Sequence, residues 1–97
     1  MKLIKADSAE SATELTSLPN IGPALSRDLR SVGIDTPRQL RGQDAFALYQ
    51  SLNRIKAKRQ DPCVLDTFIA AVDFMNGAAA RPWWHYTAER KAEHPDL

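Results

Sequence analysis

The sequence predicts an all-α protein, a compact bundle of four to five short helices, and three observations lead there. Apolar residues recur at helical spacing in separate stretches near residues 23–32, 44–56 and 62–76. Those stretches open on start signals, Gly22-Pro23, Asp44 and Asp61-Pro62, and Gly33 and Gly77 stand where the first and last of them stop. No strand-like alternation of four or more residues is found, nor a repeat of the length that builds solenoids. With 97 residues the chain fits one domain around one core.

Residues 1–10 show no apolar period and are expected to form a flexible segment. Ser11 and Glu14 have the spacing of a capping box, which predicts a short helix ending near Leu18, before Pro19. Pro19 to Pro23 then read as a tight turn, in which Gly22 permits positive φ and Asn20 tolerates it. The helix that follows places Leu25, Leu29 and Val32 on one face, with Arg27 and Arg30 outside that stripe. Thr36 and Pro37 start one short turn through Leu40, closed by Gly42.

Asp44 caps a longer helix with Ala45, Leu48, Leu52 and Ile55 in its stripe, flanked by Phe46 and Tyr49, and its end is basic. The helix from Pro62 is the most apolar, leaving only Asp66, Thr67, Asp73 and Asn76 for a solvent face, so it is expected at the centre of the bundle. Ala78 to Pro82 form a connector. Trp83 and Trp84 are expected to fold back over the central helix, one of them buried, and residues 92–97 to be a flexible tail. The ordered domain is thus expected to span 11–91.

Composition narrows the function classes. An apolar content of 43% and a charged content of 26% are ordinary for a globular protein. No run approaches the roughly 18 apolar residues of a membrane span, and the start MKLIKADSAE turns polar too soon for a signal peptide, so no membrane association and a cytoplasmic location are expected. The net charge of +1 is unevenly spread, with the basic excess between residues 18 and 59. Cys63 is the one cysteine, which offers neither a disulfide nor a zinc spacing. At the start of its helix its thiol is open to activation by the dipole, or else is a small buried apolar group.

The turn Leu18-Pro19-Asn20-Ile21-Gly22-Pro23 carries the strongest functional signal, because it resembles the helix-hairpin-helix motif of DNA repair and recombination proteins. A turn of this kind presents orphan amides and the positive end of a helix dipole to a phosphate oxygen. Donors here are Gly22, Ala24 and Leu25; Pro23 has no N–H, and Arg27 and Arg30 add charge. Asn20 stands where the first hairpin glycine is common, and Ala24 where a lysine often sits. The alternative is that Ile21 and Gly22 only let two helices turn tightly, with Ile21 in the core.

Three blocks extend the likeness: LPNIGPALSRDLRSVGIDTPRQLRGQDAFALY, DPCVLDTFIAAVDFMNG and PWWHYTAERK. From Leu15 to about Lys91 the chain resembles the bacterial pathogenicity-locus family of small helix-hairpin-helix proteins, some labelled mitomycin resistance proteins. The first block is also similar to the carboxy-terminal domain of competence regulators. The resemblance implies a compact, SAM-like helical fold and a DNA-related role.

These readings define the expected site. Asn20, Ile21, Gly22, Ala24, Leu25, Arg27 and Arg30 hold one phosphate, and Arg54, Lys56, Lys58 and Arg59 either hold a second or cap a helix end. Binding would be to the DNA backbone, independent of sequence. The second class of function is a protein-interaction adaptor using the turn and the Trp83/Trp84 segment; a weaker third is a flat drug held between the two indoles. No catalytic triad, phosphate loop, cofactor motif or metal-ligand spacing occurs, so neither enzyme activity nor a cofactor nor a metal is expected.

Overall fold

A computed structural model describes residues 5–97, so the expectation for residues 1–4 lies outside the described part. The described chain is all-helical and compact. It contains α1 (Pro23–Ser31), α2 (Ala45–Lys56), α3 (Pro62–Met75) and α4 (Thr87–Glu93), with 3-10 turns at Ala9–Ser11, Leu15–Ser17, Pro37–Leu40 and Trp83–Tyr86.

The start signals act as expected at α2 and α3. The Asp44 carboxylate accepts the Phe46 amide at 2.9 Å, and Asp61 accepts that of Cys63 at 2.9 Å, which satisfies donors the helix cannot. Gly33 and Gly77 follow α1 and α3 at φ 93 and φ 109, a left-handed conformation that costs glycine little. Helix α3 is central: Leu65, Phe68, Ala71 and Phe74 are all but sealed, and α2, α4 and the Pro37–Leu40 and Trp83–Tyr86 turns pack around it. Helix α1 leans on α2 through Leu29, with Leu25 and Val32 half-buried beside it.

Several local expectations are corrected. Residues 11–18 form no α-helix: Ser8 starts one 3-10 turn, its amide bonded to the Ser11 hydroxyl, and Glu14 starts another, Leu15–Ser17. The stretch is too short for the cost of helix nucleation, and its hydroxyls engage the backbone, as Ser17 does with the Glu14 carbonyl. Residues 5–10 are packed: Ala9 is buried, and the Ala6 amide donates to the Ser17 carbonyl at 2.8 Å. The far end is also engaged, since His94 stacks on Phe46 at 4.0 Å and Leu97 packs against the core.

In α2 the inward position belongs to Tyr49, whose hydroxyl donates to the Gln60 carbonyl, while Ile55 is 55% exposed in the last turn. The buried aromatic of the last block is Tyr86; Trp83 is half-buried and Trp84 is 64% exposed. Asp66 does not face solvent. It is fully buried, taking the Arg90 Nε at 2.8 Å and Nη2 at 3.2 Å, with the Thr87 hydroxyl at 2.8 Å. Thr67 is buried as well, its hydroxyl donating to the Cys63 carbonyl.

Candidate functional site

The turn before α1 is shaped by Asn20, not by Gly22. Asn20 takes φ 67, the left-handed conformation that asparagine tolerates better than most residues, whereas Gly22 lies at φ −98 in extended backbone. A side chain at Gly22 would meet nothing within 4 Å. Neither backbone geometry nor crowding in the described protein therefore requires glycine there.

Gly22 is the N-cap of α1 and supplies no side-chain acceptor; Pro23 occupies the first helical position. Ala24 is exposed and Leu25 half-buried, so their amides open the helix at the surface. Ile21 belongs to the core side of the turn: its side chain is fully buried and its amide already donates to the Leu18 carbonyl at 3.3 Å. Among the expected contact residues, Ile21 therefore has no free donor to offer.

Two outlying segments clasp the turn, and neither was foreseen. The Lys5 ammonium donates to the carbonyls of Thr16, Leu18 and Ile21 at 2.9, 2.9 and 2.8 Å, with its pKa lowered by partial burial. The Asn20 side-chain amide donates to the Arg81 carbonyl at 2.8 Å, which joins the turn to the tryptophan segment. All four bonds end on carbonyls, and none of them blocks the amides of Ala24 and Leu25.

Arg27 and Arg30 are exposed on α1, and the structure brings one member of the second basic cluster, Lys56, to that helix. Lys56, in the last turn of α2, meets Asp28 of α1 at 3.0 Å. That pair ties Lys56 to α1, while Arg54, bonded to the Ser51 hydroxyl at 3.0 Å, and Lys58 and Arg59 stay exposed. Ala57 ends α2 at φ 53, so Lys58 and Arg59 belong to the loop after it.

The remaining candidates lose their chemical claim. The Cys63 thiol is pushed up, first by burial and then by the neighbouring Asp61 carboxylate, so it is protonated at neutral pH and a poor nucleophile. Trp83 and Trp84 meet edge to face, with centroids 5.6 Å apart and planes at 86°, and so frame no parallel-walled slot for a flat molecule. An open groove of about 700 Å³ runs between the Ala9–Ser11 and Pro37–Leu40 turns; its charged residues, Glu10, Arg38 and Arg41, are all exposed. Among the described residues no group of three or more His, Cys, Asp or Glu is placed to hold a metal ion, and no helix is long and apolar enough to cross a membrane.

The fold and the turn thus define a small all-helical protein built around one buried helix, with a basic α1–α2 face. Residues 8–92 match the Cdd1 family, described as pathogenicity locus, and the chain belongs to that family. It is 46% identical over 79 residues to the mitomycin resistance protein McrB of Streptomyces lavendulae, a match that covers 81% of this chain and 75% of the relative. No solved structure matches.

Proposed function

We propose that this protein is a non-enzymatic helix-hairpin-helix domain that binds nucleic acid through its phosphates, without regard to base sequence. The observation that carries the reading is the opening of α1, where Gly22 gives no side-chain cap, Ala24 is exposed and Leu25 half-buried, and Arg27 and Arg30 stand on the same helix. The Lys56–Asp28 pair ties the end of α2 to α1, and the exposed Lys58 and Arg59 in the loop that follows supply charge for a second phosphate.

Gly22→Asp tests it cleanly. Aspartate is a preferred N-cap residue, and the position has room for it, so the variant should fold with equal or greater stability. Its carboxylate would occupy the place of the phosphate and repel one. Expected is a thermal midpoint at or above that of the parent together with loss of DNA binding. For the parent, log K should fall with log salt at a slope of about −2 to −3, for two or three phosphates. Binding unchanged in Gly22→Asp, or insensitive to salt, would overturn the proposal.

A second reading, an adaptor for a protein partner, is favoured by one observation, the 64% exposure of Trp84. A drug-holding role would need another place than the space between these perpendicular indoles.

A further inference from the structure

Trp84 is exposed on a turn that is held firmly at both ends. Pro82, with φ −66, precedes the turn, the His85 amide closes onto the Pro82 carbonyl at 3.0 Å, and Tyr86 anchors the end in the core at 3% exposure. Just before it, the Arg81 carbonyl is bonded to Asn20. Trp84 meets Trp83 edge to face and remains 64% exposed, so most of its indole is open to solvent. An aromatic face fixed in this way loses little freedom when something stacks on it.

The surroundings indicate what that is. Arg81 and His85 are exposed on either side in sequence, and the run Arg81 to Tyr86 holds no carboxylate. Asp73 and Arg81 both lie near the Tyr86 hydroxyl, which is buried without a hydrogen-bond partner. Beyond the Asn20–Arg81 bond stand the amides opening α1 and Arg27. Trp84 is three residues on from Arg81, a span of at most about 11 Å. A planar stacking face thus adjoins donors and cations, which complements a ligand that alternates flat rings with anions.

We propose that Trp84 stacks on an unpaired base of a strand whose phosphate is held at the opening of α1, so that the preferred ligand is single-stranded rather than duplex nucleic acid. The inference rests on the phosphate reading above and adds the class of strand. Bases inside a duplex present their edges to a protein and keep their faces to one another, so an indole gains from stacking only where a base is unpaired.

The test uses the full chain with a labelled oligothymidylate and a blunt duplex of equal length at low salt. Expected is tighter binding of the single strand by about tenfold or more, lost in Trp84→Ala and largely kept in Trp84→Phe, with duplex binding unchanged in both. In a Trp83→Phe background, the fluorescence of Trp84 should be quenched by the single strand and hardly by the duplex. Equal affinity for both ligands, unmoved by Trp84→Ala but abolished by Gly22→Asp, would overturn the stacking inference and leave the phosphate reading standing. Absence of binding to either ligand at any salt would overturn the phosphate reading, and the inference with it.

Discussion

Lys5 and Arg90 each tie an outlying segment to the body of the protein, Lys5 through neutral carbonyls near the surface and Arg90 through a buried carboxylate. The Lys5 ammonium spreads three hydrogen bonds over the turn before α1, where water can replace it. Arg90 is 6% exposed and meets the fully buried Asp66, which water does not reach. The hydrogen bond from Asp66 pushes the Arg90 guanidinium up, so it is charged throughout the neutral range. The difference teaches where each end of the molecule is vulnerable: an unpaired carbonyl near the surface rehydrates, whereas an unpaired buried carboxylate must stay charged in an apolar setting or take up a proton.

Arg90→Met should therefore give the largest effect, a loss of about 3–5 kcal/mol, because it strands Asp66. Urea unfolding measures it. Asp66→Leu combined with Arg90→Met should recover most of that loss, since well-packed apolar residues commonly replace a buried pair without cost. If the double variant is as unstable as the single one, α4 is held by something other than the charge balance.

Lys5→Met should cost less, about 1 kcal/mol, as its three acceptors regain water. Hydrogen exchange would show where: the amides from Leu18 to Leu25 should exchange faster, and those of α3 should not. Equal loosening of both regions would erase the contrast between the two ends.

This contrast also explains what the sequence makes legible. The central helix, the caps at Asp44 and Asp61 and the stops at Gly33 and Gly77 follow from local rules, because apolar period and cap chemistry are written residue by residue. Helix α4 was not foreseen, since the face it turns inward is carried by Arg90, and no apolar stripe marks it. Asp66 reads as a solvent position for the same reason: its partner stands 24 residues away, and only the fold brings them together. Lys5 hides in a segment with no period, and its partners are backbone carbonyls, which no side chain announces. At the turn, residue types pointed to Ala24, Leu25, Arg27 and Arg30, while the left-handed conformation fell to Asn20 and the role given to Ile21 belongs to its packing.

The smallest effect expected separates the two ends by pH. Asp61 caps α3, and its carboxyl titrates below the ordinary value of 3.8, first because it accepts the Cys63 amide, with smaller help from Arg90 and Arg59. A carboxyl whose folded pKa is depressed stabilises in full above its unfolded pKa and loses that contribution as pH falls through the folded value. Stability at the α3–α4 end should thus decline only below about pH 4, with a modest drop in the urea midpoint. Asp61→Asn, which keeps the capping oxygen without a titrating group, should flatten that part of the acid profile. Lys5→Met should leave it unchanged, because no carboxylate takes part in the contacts of Lys5 with Thr16, Leu18 and Ile21. An acid profile that moves with Lys5 and not with Asp61 would mean that the turn before α1, rather than the cap of α3, opens first in acid.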